Sequence, residues 1–407
     1  MGKKDKSLNR RRFLISSVLG TAGIAAGASN LRSHETTVEL AKHKKKKVIY
    51  RTLGNTGIIV PVISMGVMRA DNPALVKAAL AKGITFLDTA NSYQEGRNEE
   101  MLGKLLKDYP RESYLIATKV HPSGKDRKTE MYSGKATEED FMKKFNVSMN
   151  RLGIKYVDIL YHHAVGSKEA AFHEPVLNAM KKIKQSGRAK FLGISTHKNE
   201  PEVIRAAIKS GVYEVILVAY NFKQDHLNEM NMAIQEAADA GMGIVGMKNL
   251  AGGFLDKEKQ KPVNAKAALK WALQNPNIHT LIPGFTNFEQ LDECVEVMSN
   301  IKMHSKEKHE LLLASNEQGM YCNACSECVG QCKKALPIPE LMRAYMYTYG
   351  YREMKKAKDL LVDLELSATN PCTDCDECTV TCVKDFAVAD KIADVTRLMD
   401  VPEEFIV

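Results

Sequence analysis

From about Val48 to Met298, short apolar runs rich in β-branched residues alternate with segments whose apolar positions recur at helical spacing. Short apolar runs bounded by turn residues read as buried strands, and the helical period reads as helices with one wet face. Eight runs qualify: Val62 to Gly66, Thr85 to Asp88, Tyr114 to Thr118, Val157 to Tyr161, Lys190 to Ile194, Val215 to Ala219, Ile244 to Met247 and His279 to Ile282. Eight strands, each followed by a helix, over about 250 residues is the count of a (β/α)8 TIM barrel. Asn72-Pro73 supplies a cap and first turn for one helix, and Gly83 its stop. Ahead of the first strand, Val48 to Arg51 and Ile58 to Val60 flank Gly54-Asn55-Thr56-Gly57, a hairpin predicted to plug the barrel bottom. Beyond the barrel, Pro339 to Tyr349 and Arg352 to Leu364 read as two amphipathic helices, so the end of the chain is predicted to be mainly helical. Tyr345, Tyr347, Tyr349 and Tyr351 would spread over two faces there, a packing role rather than an electron conduit.

The 407 residues suffice for one large domain and a smaller one, and the composition is that of an ordinary globular protein. The net charge of +9 changes the picture only by its location: residues 1–47 hold twelve Lys/Arg and three Asp/Glu, so the rest is balanced. A balanced folded part excludes nucleic acid as a main partner. Residues 29–47, ending in Lys44 to Lys47, read as a solvated basic linker. Residues 1–28 carry Asn9-Arg10-Arg11-Arg12-Phe13-Leu14, then an uncharged stretch to Ala26-Gly27-Ala28. This resembles a twin-arginine (Tat) export signal with its cleavage site, which implies a periplasmic or extracytoplasmic location. Gly and Ser interrupt the apolar part, so no stable membrane span is expected.

Eight of the nine cysteines fall in two identical Cys-x2-Cys-x2-Cys-x3-Cys runs: Cys322, Cys325, Cys328, Cys332 and Cys372, Cys375, Cys378, Cys382. Disulfides and tetrahedral zinc are the competing readings. Zinc sites use two separated pairs, and disulfides do not need a repeated run, so iron–sulfur ligation explains the spacing better. The runs resemble those of two-cluster 4Fe-4S ferredoxins, and the resemblance implies that the fourth cysteine of each run serves the other cluster. Cys322, Cys325, Cys328 and Cys382 would hold one cluster, and Cys372, Cys375, Cys378 and Cys332 the second. Lys333 and Val383 stand where a proline often follows. Cys294, alone in a helical segment, reads as a core residue. Twin-arginine export moves folded proteins, which suits clusters inserted before export.

Barrel enzymes place their chemistry at the carboxyl ends of the strands. Here those ends are polar: Asp88 with Tyr93 five residues on, Lys119, and His162-His163. Each alone has a plain explanation as a cap, a solvated charge or a loop histidine. Together they put an acid, a phenol, an ammonium and an imidazole around one cavity. Gly83-Ile84-Thr85-Phe86-Leu87-Asp88-Thr89-Ala90, then Tyr93, Glu99 and Leu102-Gly103, resembles the aldo-keto reductase signature, over roughly residues 48 to 298. The resemblance implies a catalytic tetrad of Asp88, Tyr93, Lys119 and the histidine five positions after Asp158, His163, with His162 the alternative. It divides the chain into the signal, the linker, a barrel over 48–305 and a helical ferredoxin-like domain over 306–407. Tyr93 would protonate the alkoxide left by hydride transfer, Lys119 would favour its phenolate, Asp88 would hold Lys119 and His163 would orient the carbonyl.

The same resemblance implies a nicotinamide cofactor, NAD or NADP, bound tightly enough to travel with an exported protein. Ser195 would contact the carboxamide, Met247, Lys248 and Leu250 would line the strand-seven site, and Gly284, Thr286, Gln290 and Glu293 the diphosphate and adenosine end. Leu217 stands where many relatives carry glutamine. The implied function is an oxidoreductase that moves hydride between the cofactor and a small polar carbonyl or alcohol, sugars included, with a redox partner protein possible at the clusters. The loop from His121 to Asp140 is expected to shape specificity. An electron-transfer or docking protein built on a weak barrel scaffold is the alternative, and clusters that are purely structural are a third reading.

Overall fold

The computed structural model describes residues 47–126, 129–256, 260–316, 321–322, 324–366 and 369–406; the stretch expected to be an export signal and nearly all of the expected linker lie outside them. Strands β1 (Tyr50–Thr52) and β2 (Ile59–Pro61) pair antiparallel as the predicted hairpin. Then come β3 (Met65–Gly66), β4 (Phe86–Asp88), β5 (Leu115–Val120), β6 (Val157–His162), β7 (Ala189–Thr196), β8 (Val215–Ala219), β9 (Gly243–Met247) and β10 (Thr280–Leu281). Each pairs parallel with the next. A parallel bridge from Ile63 to Leu281, with Ser64 N donating to Leu281 O at 2.7 Å, closes the ring into a (β/α)8 barrel. All eight predicted strands are present.

Side chains alternate across the sheet, as the two-residue strand period requires. Phe86, Ala117, Ile159, Tyr161, Val215, Leu217 and Val245 fill the barrel interior. Their neighbours Leu87, Ile116, Leu160, Ile216 and Ile244 face the helices. Gly193 makes room inside for the Tyr161 ring, since a Cβ there would lie 2.4 Å from Tyr161 Cδ1. The helices are set by local chemistry. In Glu138–Leu152, Thr137 Oγ1 accepts from Asp140 N, three acids fill the first turn, and Gly153 at φ 64° ends it. Its Phe141, Phe145 and Met149 recur every fourth residue and are buried.

The hairpin closes the bottom. Leu53 is fully buried among the interior residues, and Asn55 N donates to Gly241 O at 2.8 Å. Leu53→Ala is expected to lower unfolding free energy by ~2–5 kcal/mol, because the rigid barrel floor cannot collapse into the gap. Chemical denaturation read by circular dichroism checks this; a change within error would show that the plug carries no stability.

Residues beyond the barrel add helices Ser305–Asn316, Ile338–Tyr345, Met354–Asp363 and Val388–Thr396, the last three sharing a core that includes Leu341, Leu361 and Ile392. This part and the barrel form one compact unit. The first predicted helix differs from expectation: it gives way at Met346–Tyr351 to a wider π turn, ended by Arg352 at φ 57°. Tyr345 pairs with Tyr349 at 4.5 Å between ring centroids and Tyr347 with Tyr351 at 6.1 Å, so the tyrosines sort by fours into two packed pairs. Cys294 is buried in the barrel core, where burial pushes its thiol up to about 12. Among the described residues, no helix is long and apolar enough to cross a membrane.

Candidate active site

The strand alternation decides which polar residues enter the barrel mouth. Asp88 follows inward Phe86 by two, Lys119 follows Ala117 and His163 follows Tyr161, so all three continue the interior face at its carboxyl end. Lys119 Nζ bonds Asp88 Oδ1, donates to Thr89 O at 2.7 Å and reaches Tyr93 Oη at 3.3 Å. The His163 ring meets Tyr93 edge-on at 6.0 Å between centroids. Burial opposes charge on Lys119, yet Asp88 and then Tyr93 outweigh it and raise the ammonium pKa. Burial first, then Lys119 and His121, drive the His163 pKa well below the ordinary imidazole value, so the ring is neutral. Its Nδ1 has no hydrogen-bond partner among the described residues.

His162 points the other way, and this separates the two candidate histidines. Its Nε2 lies 2.8 Å from Tyr132 Oη and its Nδ1 3.1 Å from Tyr213 Oη, both on the helix side of the sheet. The same alternation was already present in the sequence. Glu99 of the signature is fully buried, accepts from Thr118 Oγ1 at 2.6 Å and pairs with Arg151 at 3.4 Å, fastening its helix to β5.

Among the cofactor candidates, Ser195 and Met247 continue the inward faces of β7 and β9. Ser195 Oγ accepts from Ala164 N at 2.9 Å. Lys248, at φ 56°, forms no ion pair among the described residues. Burial, then Arg343, push its ammonium down to about 7; Lys356 adds to this while Glu200 and Glu340 oppose it. A half-buried ammonium with no ion pair among the described residues fits the diphosphate of a dinucleotide. Leu250 instead packs between two apolar clusters. Gly284 is exposed beside Gly66 O, Glu293 is half-buried, and Gln290 folds back so that its Oε1 accepts from Thr286 N at 2.9 Å. Because Lys248 loses its charge as pH rises through about 7, dinucleotide affinity is expected to fall about tenfold from about pH 6 to about pH 8. Lys248→Met should flatten that profile in calorimetric titrations; an equally steep slope in the variant would remove Lys248 from the diphosphate.

The sequence missed the lid. Helix Met354–Asp363 lies against the turn after Tyr93, where Lys355 pairs with Glu95 at 2.6 Å and Lys356 Nζ approaches Met68 Sδ at 3.8 Å. On the far rim Glu340 sits 3.3 Å from Arg343 and 3.8 Å from Lys198, which also bonds Glu130 Oε1 at 3.1 Å. The contacts join residues separated by up to about three hundred positions, which no local pattern reports. The loop after β5 is pinned to the barrel rim: Lys125 donates to Ala164 O at 2.7 Å and pairs with Glu130.

The cysteines sort into two sets. Burial raises the Cys322 thiol pKa, the Ala324 amide opposes it, and Cys325, Cys328 and Cys382 are near enough to raise it further. Cys372 is raised by burial and then by Cys375, Cys378 and Cys332, and these four line one cavity with Leu336, Val388 and Ile392. The runs are cross-braced: Thr379 Oγ1 donates to Gln331 O and Thr381 N to Gln331 Oε1, both at 2.7 Å. Among the described residues, no three His, Cys, Asp or Glu side chains close around a single metal ion. Four sulfurs set around a cavity suit a cubane, which takes each thiolate at a different iron corner. The amides of Ala324 and Lys384 donate to Cys322 Sγ (3.2 Å) and Cys382 Sγ (3.4 Å), contacts that would favour a thiolate at either sulfur.

Residues 64–267 match the model of the Aldo/keto reductase family. The chain belongs to that family of oxidoreductases. It is 26% identical over 314 residues to a probable aldo-keto reductase of Glycine max, covering 64% of this chain and 87% of the relative. It is 27% identical over 296 residues to L-galactose dehydrogenase of Arabidopsis thaliana, covering 63% and 90%. An aldo-keto reductase from Bacillus halodurans superposes with a TM-score of 0.55 at 22% identity, over 66% of this chain and 96% of its own, a likeness of fold.

Proposed function

We propose that this protein is a nicotinamide-dependent reductase of a small polar carbonyl compound, and that its C-terminal part carries two 4Fe-4S clusters. The observation that carries the reading is Lys119 Nζ, held by Asp88 and by Thr89 O while it reaches Tyr93 Oη. When bound, the nicotinamide supplies a hydride to the carbonyl carbon. Tyr93 Oη gives its proton to the oxygen, the new O–H bond replacing the phenolic one. Lys119 stabilises the phenolate that remains until solvent reprotonates it, and the buried Asp88 keeps the ammonium charged and aimed. Neutral His163 offers one N–H to the carbonyl oxygen and fixes its direction.

Two relatives support a sugar-like substrate by their names, L-galactose dehydrogenase and the L-glyceraldehyde 3-phosphate reductase of Escherichia coli. The clusters are supported by the two crossed cysteine sets, which would hold them between the barrel rim and the outer surface of the module. The paired arginines at Arg10 to Arg12 support export of the folded, metal-loaded protein. The deciding experiment is anaerobic purification, iron and sulfide analysis, and NADH and NADPH oxidation against a panel of aldoses and other polar carbonyls. Turnover with iron present is expected; a metal-free protein that oxidises neither cofactor would overturn both halves.

A further inference from the structure

Cations from the barrel and from the C-terminal part gather at the barrel mouth. Glu340 is divided between Arg343 and Lys198, Glu130 between Lys125 and Lys198, and Lys248 has no ion-paired partner among the described residues. Lys356 reaches the mouth from the other side. Its Nζ lies over the Tyr347 ring at 4.4 Å, 3.8 Å from Met68 Sδ, with Glu353 of its own helix 3.3 Å away. Gln94 Nε2 donates to Met68 O at 3.1 Å, so Lys356 and the turn bearing Tyr93 and Gln94 meet at one residue. Lys356 is close enough to act on both Tyr93 and His163. Its side chain is still 42% exposed, so these contacts leave part of it open to solvent.

Lys248 stands with the cofactor residues of β7 and β9 and answers the dinucleotide's own charge. Lys356 reaches Met68 next to the turn that bears Tyr93, where the carbonyl is expected. We propose that Lys356 is the anion-recognising residue of the substrate site, and that the compound reduced carries a carboxylate or phosphate group within reach of its carbonyl. This rests on the reductase reading. Lys356 belongs to the segment that follows the barrel, outside residues 64–267 that match the family model. A charge-assisted hydrogen bond in a partly desolvated site is strong enough to select one substrate class over its neutral counterpart.

The test uses the full, cluster-loaded protein with D-glucose, D-glucuronate and glucose 6-phosphate, three aldehydes that differ in one anionic group. In the wild type, kcat/KM for one of the two anions should exceed that for glucose by ~10- to 100-fold, mostly through KM. Lys356→Gln should collapse that ratio toward one and Lys356→Arg should restore most of it; the anion that responds identifies the group as carboxylate or phosphate. A wild type with no anionic preference, or a Lys356→Gln variant that lowers all three substrates equally, overturns the proposal. Calorimetric titration with D-gluconate, sorbitol 6-phosphate and sorbitol needs no turnover. Anion binding that disappears in Lys356→Gln, in a protein that oxidises neither NADH nor NADPH, would uphold the site and refute the reductase reading alone. Equal binding of all three in wild type and variant would overturn the site whatever the activity.

Discussion

Tyr93→Phe is expected to lower kcat for carbonyl reduction by about 10²- to 10⁴-fold, the span typical of losing a positioned general acid. The variant removes one oxygen and keeps the ring. The edge contact with His163 survives, and Lys119 keeps Asp88 and Thr89 O. Nothing in the loops that carry Ser195 or Lys248 touches that oxygen, so dissociation constants for NADH and NADPH should change by about twofold at most. An effect confined to kcat marks an interaction made in the transition state, whereas a rise in KM alone would assign Tyr93 to substrate binding. Stopped-flow measurement of the hydride step, with cofactor affinity by fluorescence, separates these outcomes. Undiminished reduction would mean that another group delivers the proton and that the buried Lys119–Asp88 pair serves only the fold.

Period and chemistry made the barrel legible, and its interior shows why. Inward Phe86, Ala117, Ile159 and Leu217 alternate with outward Leu87, Ile116, Leu160 and Ile216, so strand assignment needed only apolar runs of the right length. Asp88, Lys119 and His163 extend that alternation by one inward step, and a strict count from Tyr161 would have chosen His163 over His162 without coordinates. Other features were hidden for physical reasons. The π turn at Met346–Tyr351 depends on rings pairing within a folded module, and Thr348 Oγ1 bonding back to Ala344 O at 3.0 Å accompanies it. The placement of Lys356 against Met68, beside the turn that bears Tyr93, depends on two segments meeting that are far apart in the chain. Charge at such a meeting point is invisible to local pattern, because a lysine on an amphipathic helix has the same sequence signature whether it faces solvent or a cavity. Helix Val388–Thr396 was missed for a related reason: its apolar positions Val388, Ile392 and Val395 have the right spacing but sit in a stretch too short to stand out beside the cysteines.

Removing Cys382 is expected to empty the site built by Cys322, Cys325 and Cys328, although fifty residues separate it from the nearest cysteine of the other run. Single serine variants cannot distinguish crossed from uncrossed ligation, since either way one cluster of about four irons is lost from a total of about eight. Pairs can. In the crossed arrangement Cys322 and Cys382 belong to one cluster, so Cys322→Ser/Cys382→Ser should keep about half the iron, whereas Cys322→Ser/Cys332→Ser strikes both sets and should keep almost none. Uncrossed ligation predicts the reverse. The cross-braces from Gln331 to Thr379 and Thr381 hold the two runs side by side, as crossed ligation would need. The two sites are also unequal in position. Cys328 lies within reach of Lys198 on the barrel rim and Cys325 within reach of Asp225, while the second set lines a cavity walled by the module's own Val388 and Ile392. Loss of the Cys322 set should therefore loosen the roof over the barrel and raise KM for the carbonyl substrate, whereas loss of the Cys372 set should leave it close to the wild-type value. Anaerobic iron analysis with electron paramagnetic resonance on Cys382→Ser, the two double variants and Cys372→Ser, followed by KM measurements, checks both statements. Equal KM values across the variants would separate the Cys322 set from the geometry of the lid.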